Sequence, residues 1–118
     1  TCRTRPELAY GKHVVDSTLA HPLIGEMATA ALRYFPTVTR DTHSQTGRIT
    51  DLLRDGTVYK AFGLPTLDAS IDRVMICGSI GLNQEIVEIV RQSGLAEGTL
   101  NNPGEFVVER AFVGNEIN

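Results

Sequence analysis

Thr39, Arg40 and Arg48 are the residues of this chain whose types and spacing most directly suggest chemistry. A guanidinium is permanently charged and can fork onto two phosphate oxygens, while a threonine hydroxyl adds one more hydrogen bond. Thr39 and Arg40 fall at the carboxyl end of a β-rich run and Arg48 at the start of a helical one, where free N–H groups would add to the pull on an anion. The competing reading is two surface arginines paired with Asp41 or Asp51, the usual fate of an exposed guanidinium. Arg3 and Arg5 could reach a pyrophosphate from a strand end, or simply be solvated.

Cys77-Gly78-Ser79 forms a second constellation, at the end of the apolar run Val74 to Ile76. Cys77 could be a thiolate nucleophile, a metal ligand or a small spacer. A buried thiol with no His or Lys beside it in sequence stays protonated, so steric and polar contact with a bound ring is the use that fits best. Gly78 has no Cβ and would let a flat ligand approach the backbone, and Ser79 is an expected helix N-cap. Glu109 could relay protons or hold an amide, or face outward beside Arg110. Ala111, Phe112 and Val113 would ordinarily be core. The three histidines show no metal spacing and are read as surface or capping residues. The chain contains no Gly-x-Gly-x-x-Gly and no Walker-type loop.

These positions need a scaffold, and the hydrophobic pattern describes one. Pro6 to Tyr10 reads as a short helix ended by Gly11, followed by a brief extended piece, Lys12 to Val15. Leu23, Ile24, Met27, Ala28, Ala31 and Leu32 make one helical face, so a helix from Pro22 to about Leu32 should pack on a sheet. Tyr34 to Arg40 reads as a strand, Asp41 to Gly47 as a loop, and Ile49, Leu52 and Leu53 as a short helix ended by Gly56. A linker leads to the strand at Val74, expected to be buried on both faces. A helix with Ile86, Ile89 and Val90 on its apolar face stops at Gly94, and a last strand runs from Phe106 to Val113. Alternating helices and strands predict an α/β fold: a Rossmann-like, mainly parallel sheet with helices on both faces.

At 118 residues the chain is at most one domain, and its net charge of −3 argues against a general nucleic-acid partner. Two cysteines are too few for a disulfide framework or a zinc site, and are expected as free thiols in a reducing compartment. No stretch has the length of a membrane span and no signal peptide is seen, so cytoplasmic is the default expectation. The start, Thr1-Cys2-Arg3-Thr4-Arg5-Pro6, reads like a chain joined in the middle of an element, that is, N-terminally truncated.

Taken together, Glu7-Leu8-Ala9-Tyr10, Tyr34 to Arg40, Gly47-Arg48-Ile49-Thr50-Asp51, Asp72 to Ser79 and Pro103 through Val113 resemble the C-terminal part of bacterial-type ferredoxin–NADP reductases. The segments occur in family order and cover nearly the whole chain. The resemblance implies that residues 1–118 are a partial NADP-binding domain, without the FAD barrel, the first strand or the Gly-Thr-Gly-type turn. It implies NADP(H) and FAD as cofactors, ferredoxin or flavodoxin as electron partner, and a monomeric full-length enzyme. Thr39, Arg40 and Arg48 then match the group that binds the 2′-phosphate, and Arg3 the pyrophosphate arginine. Cys77, in its Cys-Gly motif, matches the residue beside the nicotinamide. Gly78 and Ser79 share that turn. Glu109 resembles the carboxylate near the flavin. Ala111 falls where plant-type relatives stack an aromatic residue on the flavin, with Phe112 opening a short C-terminal extension. Such a piece alone is expected neither to hold FAD tightly nor to transfer hydride, and its exposed sheet edge should favour aggregation. The alternatives are a non-catalytic nucleotide-binding module, and a flavin reductase of the same superfamily with another acceptor.

Overall fold

Backbone pairing and side-chain burial organise the chain into two compact units, Thr1–Leu52 and Leu53–Asn118, in a computed structural model that describes residues 1–109. In the first unit a 3-10 turn, Arg5–Leu8, runs directly into helix α1, Ala9–Leu19. Gly11 therefore does not end a helix, and Lys12 to Val15 is helical, not extended. Leu8, Gly11, Val15 and Thr18 recur at helical spacing on the more buried side, and an i,i+4 ion pair joins Lys12 to Asp16. A Cβ on Gly11 would sit 2.5 Å from the Tyr34 hydroxyl, so the missing side chain serves a close approach.

Helix α2 spans Gly25–Ala31, starting later than Pro22 because the Gly25 N–H closes a turn on the His21 carbonyl at 2.8 Å. It packs on α1 and not on a sheet, and Leu23 and Met27 of the expected buried face are 86% and 68% exposed. Tyr34 to Arg40 is extended but not a regular strand. Only Val38 is bridged, in parallel to Cys2 on one side and Thr46 on the other. Pro36 has no N–H to add to a ladder. Thr37, buried with Val38, gives its hydroxyl to the Gly47 carbonyl at 2.8 Å.

Helix α3, Ile49–Arg54, ends at Gly56 as its pattern predicts, with Gly56 at a positive φ of 81°. Helix α4, Thr57–Phe62, arises within the expected linker. Six residues between two left-handed glycines, Gly56 and Gly63, are too short for helical periodicity to show in sequence.

In the second unit β1, Val74–Cys77, pairs in parallel with β2, Phe106–Glu109, in the register Val74↔Phe106 through Cys77↔Glu109. Parallel neighbours need a long crossover, which α5, Ile80–Gln92, supplies. The Ser79 hydroxyl accepts from the Leu82 N–H, and Gly94 (φ 85°) ends the turn after the helix, both as expected. Ile76, Val90, Leu95 and Phe106 are the core, with Val74, Ile86 and Val108 packed against it. β1 is not buried on both faces. Val74 and Ile76 face this core, while Met75 is 75% exposed, because α5 covers one side of the strand pair. The described architecture is thus α/β with a parallel sheet.

Candidate functional site

The parallel bridges Cys2–Val38–Thr46 decide where the first group of residues goes. All three segments run the same way, so Arg3, Thr39 with Arg40, and Arg48 leave at one end. The backbone binds them together there: the Thr39 N–H donates to the Cys2 carbonyl at 3.2 Å, the Arg40 N–H to the Arg3 carbonyl at 2.8 Å, and the Gly47 N–H to the Val38 carbonyl at 2.9 Å. Arg48 sits just before α3, its carbonyl accepting from the Asp51 and Leu52 N–H groups. Arg3, Thr39, Arg40 and Arg48 are all exposed.

The charges around them are sorted. Asp41 does not pair with Arg40. Its Oδ2 accepts from the Arg5 N–H at 3.2 Å and from Arg5 Nε at 3.1 Å, and its Oδ1 from the Thr42 N–H at 2.8 Å. The Arg5 and Thr42 backbone N–H groups, followed by the Arg5 guanidinium, hold this carboxyl below the usual carboxylate range. Glu7 is likewise turned onto backbone, accepting from the Arg3 and Thr4 N–H groups at 2.8 and 3.4 Å. Among the described residues the guanidinium groups of Arg3 and Arg40 and the hydroxyl of Thr39 make no hydrogen bond or ion pair. Asp41 and Glu7 occupied, with the Arg3 and Arg40 guanidinium groups available, is an arrangement that fits a phosphate-bearing ligand.

In the second unit the register brings Cys77 opposite Glu109. Cys77 is exposed, not buried as its neighbours in sequence suggest. Desolvation of the sulfur, then the charge and hydrogen bond of the Glu109 carboxylate, push its thiol above the ordinary value. A thiol so placed is a protonated polar contact and a poor nucleophile. A Cβ on Gly78 would meet Leu82 Cδ2 at 2.6 Å and Asn83 Oδ1 at 3.3 Å, so a larger residue there would have to displace the Leu82 side chain. Ser79 is exposed and its oxygen caps α5. Ala111 and Phe112, which the sequence reading placed in the last strand, lie outside the described residues.

Two participants escape a sequence reading. Asn83 is 9% exposed, and its side-chain amide reaches the Glu109 carbonyl at 3.4 Å, tying the start of α5 to the end of β2. A polar residue among the apolar positions of α5 is the signal that could have found it. The other is the role of Arg5, read in sequence as a pyrophosphate contact or a solvated residue; its pairing with Asp41 shows only in the fold. His21 and His43 take turn-capping roles, each accepting a backbone N–H at Nδ1, from Leu23 and Gln45 respectively.

Replacing Glu109 with Gln should lower the midpoint of Cys77 alkylation against pH, because a negative charge beside a thiol disfavours the thiolate and its removal relieves this. Iodoacetamide kinetics in a Cys2→Ser background would read it. An unmoved midpoint would separate the two side chains.

No protein-family profile matches the chain. It is 43% identical over 116 residues to a flavodoxin/ferredoxin–NADP reductase of Rhodobacter capsulatus, covering 98% of this chain and 43% of that protein. It is 38% identical over 116 residues to ferredoxin–NADP reductase A of Sorangium cellulosum, covering 98% of this chain and 42% of that protein. Among solved structures, a ferredoxin NADP+ reductase from Neisseria gonorrhoeae with bound FAD and NADP matches with a TM-score of 0.70. The match covers 92% of this chain and 41% of that one at 20% identity, which speaks for the fold alone. The chain spans about two-fifths of the length of these curated relatives. In sequence along nearly all of its residues, and in fold, it is similar to a part of bacterial ferredoxin–NADP reductases.

Proposed function

We propose that the chain is the NADP(H)-binding portion of a flavin-dependent ferredoxin/flavodoxin–NADP reductase. The relatives' names and the FAD and NADP in the solved neighbour support this reading. The single observation that carries it is the sorted charge beside Val38: the side chains of Arg3, Thr39 and Arg40 without partners among the described residues, and Asp41 and Glu7 turned onto backbone N–H groups.

Thr39, Arg40 and Arg48 bind the 2′-phosphate, the only group by which NADPH differs from NADH, and Arg3 binds the pyrophosphate. In the second unit Cys77 and the Gly78-Ser79 turn lie against the nicotinamide, with the neutral thiol as a polar edge. Glu109 holds a carboxylate on the flavin side, and Asn83 fixes the strand end that carries it. When bound, NADPH supplies a hydride and FAD divides the electron pair into single-electron steps. FAD is held mainly by other parts of a longer protein, with Glu109, Ala111 and Phe112 as this chain's contribution. The acceptor is ferredoxin or flavodoxin, and the whole enzyme acts as a cytoplasmic monomer. No helix among the described residues is long and apolar enough to cross a membrane.

Calorimetric titration of the chain with 2′,5′-ADP and with 5′-AMP tests the reading. A charge-assisted contact of about 1.5–3 kcal/mol predicts at least ~10-fold tighter binding of 2′,5′-ADP. Equal affinities would overturn it.

A further inference from the structure

We propose that Arg5 and Asp41 form a charge lock that keeps Arg40 available, so that Arg5, itself outside the nucleotide site, sets the preference for a 2′-phosphorylated dinucleotide. The inference rests on the NADP(H) reading above. Asp41 is the next residue to Arg40 and the carboxylate closest to it along the chain. Left alone, it would either fold onto the Arg40 guanidinium or present a negative charge to an incoming phosphate, and both weaken a phosphate site. The structure directs it elsewhere. Three donors, the Arg5 N–H, Arg5 Nε and the Thr42 N–H, fill its two oxygens at 2.8–3.2 Å.

The backbone makes this choice possible. The Arg40 N–H is held by the Arg3 carbonyl, so the segment carrying Arg5 and the segment carrying Asp41 run side by side before they diverge. Arg5 then opens the 3-10 turn Arg5–Leu8, which leaves its N–H without a partner inside the turn. Asp41 accepts that N–H and the guanidinium of the same residue at one oxygen. Its side chain is 24% exposed, against 62% for Arg5. An exposed ion pair of this kind contributes little to stability, and its consequence here is electrostatic: the acid beside Arg40 is neutralised, and the Arg40 guanidinium has no partner among the described residues.

The test compares the chain with Arg5→Met, Asp41→Asn and the double variant. Circular dichroism confirms folding, and two measurements follow: NADPH and NADH affinity by calorimetry, and phenylglyoxal labelling of Arg40 by mass spectrometry. Arg5→Met is expected to weaken NADPH binding about 5- to 10-fold, to leave NADH within about 2-fold, and to slow Arg40 labelling several-fold as Asp41 captures it. Adding Asp41→Asn should restore both, although the Arg5–Asp41 bridge is still absent, which a purely structural role would not allow. Equal losses for the two dinucleotides without rescue would make Arg5 a direct ligand and overturn the lock. So would Arg40 labelling that ignores both substitutions. Unchanged chain that binds NADPH and NADH alike, while labelling still responds, would sink the nucleotide reading and leave the lock standing.

Discussion

Replacing both Arg40 and Arg48 with Ala is expected to weaken NADPH binding by ~100-fold or more while NADH binding changes by no more than about 2-fold, since each lost charge-assisted contact is worth roughly 1.5–3 kcal/mol. The asymmetry follows from placement. Both residues leave the Cys2–Val38–Thr46 bridges at the same end, and only the 2′-phosphate distinguishes the two ligands there. Arg40 should account for much of the loss even alone, because Asp41 is committed to Arg5 and no acid competes for its guanidinium among the described residues. Fluorescence or calorimetric titration of the double variant and of Arg48→Ala alone measures the effect. Parallel losses for NADPH and NADH would remove both arginines from the 2′-phosphate.

The second large effect concerns the scaffold. Phe106→Ala should lower unfolding free energy by about 3–5 kcal/mol, from a total that for domains of this size is about 5–15 kcal/mol. Phe106 is 1% exposed, packs with Ile76, Val90 and Leu95, and lies 5.8 Å under the Arg91 guanidinium. It also stands opposite Val74 at the start of the β1–β2 register, so the cavity would loosen the pair that ends in Cys77 and Glu109. Urea denaturation of the chain reads the loss directly. A change below about 1 kcal/mol would mean that this cluster is not what holds the second unit together.

The second unit was the more legible in sequence. Val74 to Cys77, the Ser79 cap, the face of Ile86, Ile89 and Val90, and the Gly94 stop are each announced by residues within a few positions of one another. Such signals act through local backbone preference, so they survive whatever the chain does elsewhere. In the first unit local signals misled. Gly11 reads as a helix stop, yet it lies within α1, where its missing side chain leaves room for the Tyr34 hydroxyl, 23 positions later in the chain. Tyr34 to Arg40 has strand composition but only one bridged residue, since ladder length depends on partners at Cys2 and Thr46 and not on propensity.

The candidate site residues divide in the same way. By itself the sequence determined which groups are present: permanent cations and a hydroxyl at Arg3, Thr39, Arg40 and Arg48, a thiol at Cys77, a carboxylate at Glu109, and the family motifs that contain them. Tertiary structure alone decided their electrical state. It sent Asp41 to Arg5 and left the Arg40 side chain without a partner among the described residues, and desolvation together with the facing Glu109 carboxylate pushes the Cys77 thiol up. The reason is physical: side-chain chemistry belongs to the residue, but charge pairing depends on distances between segments far apart in the chain, and those exist only after folding.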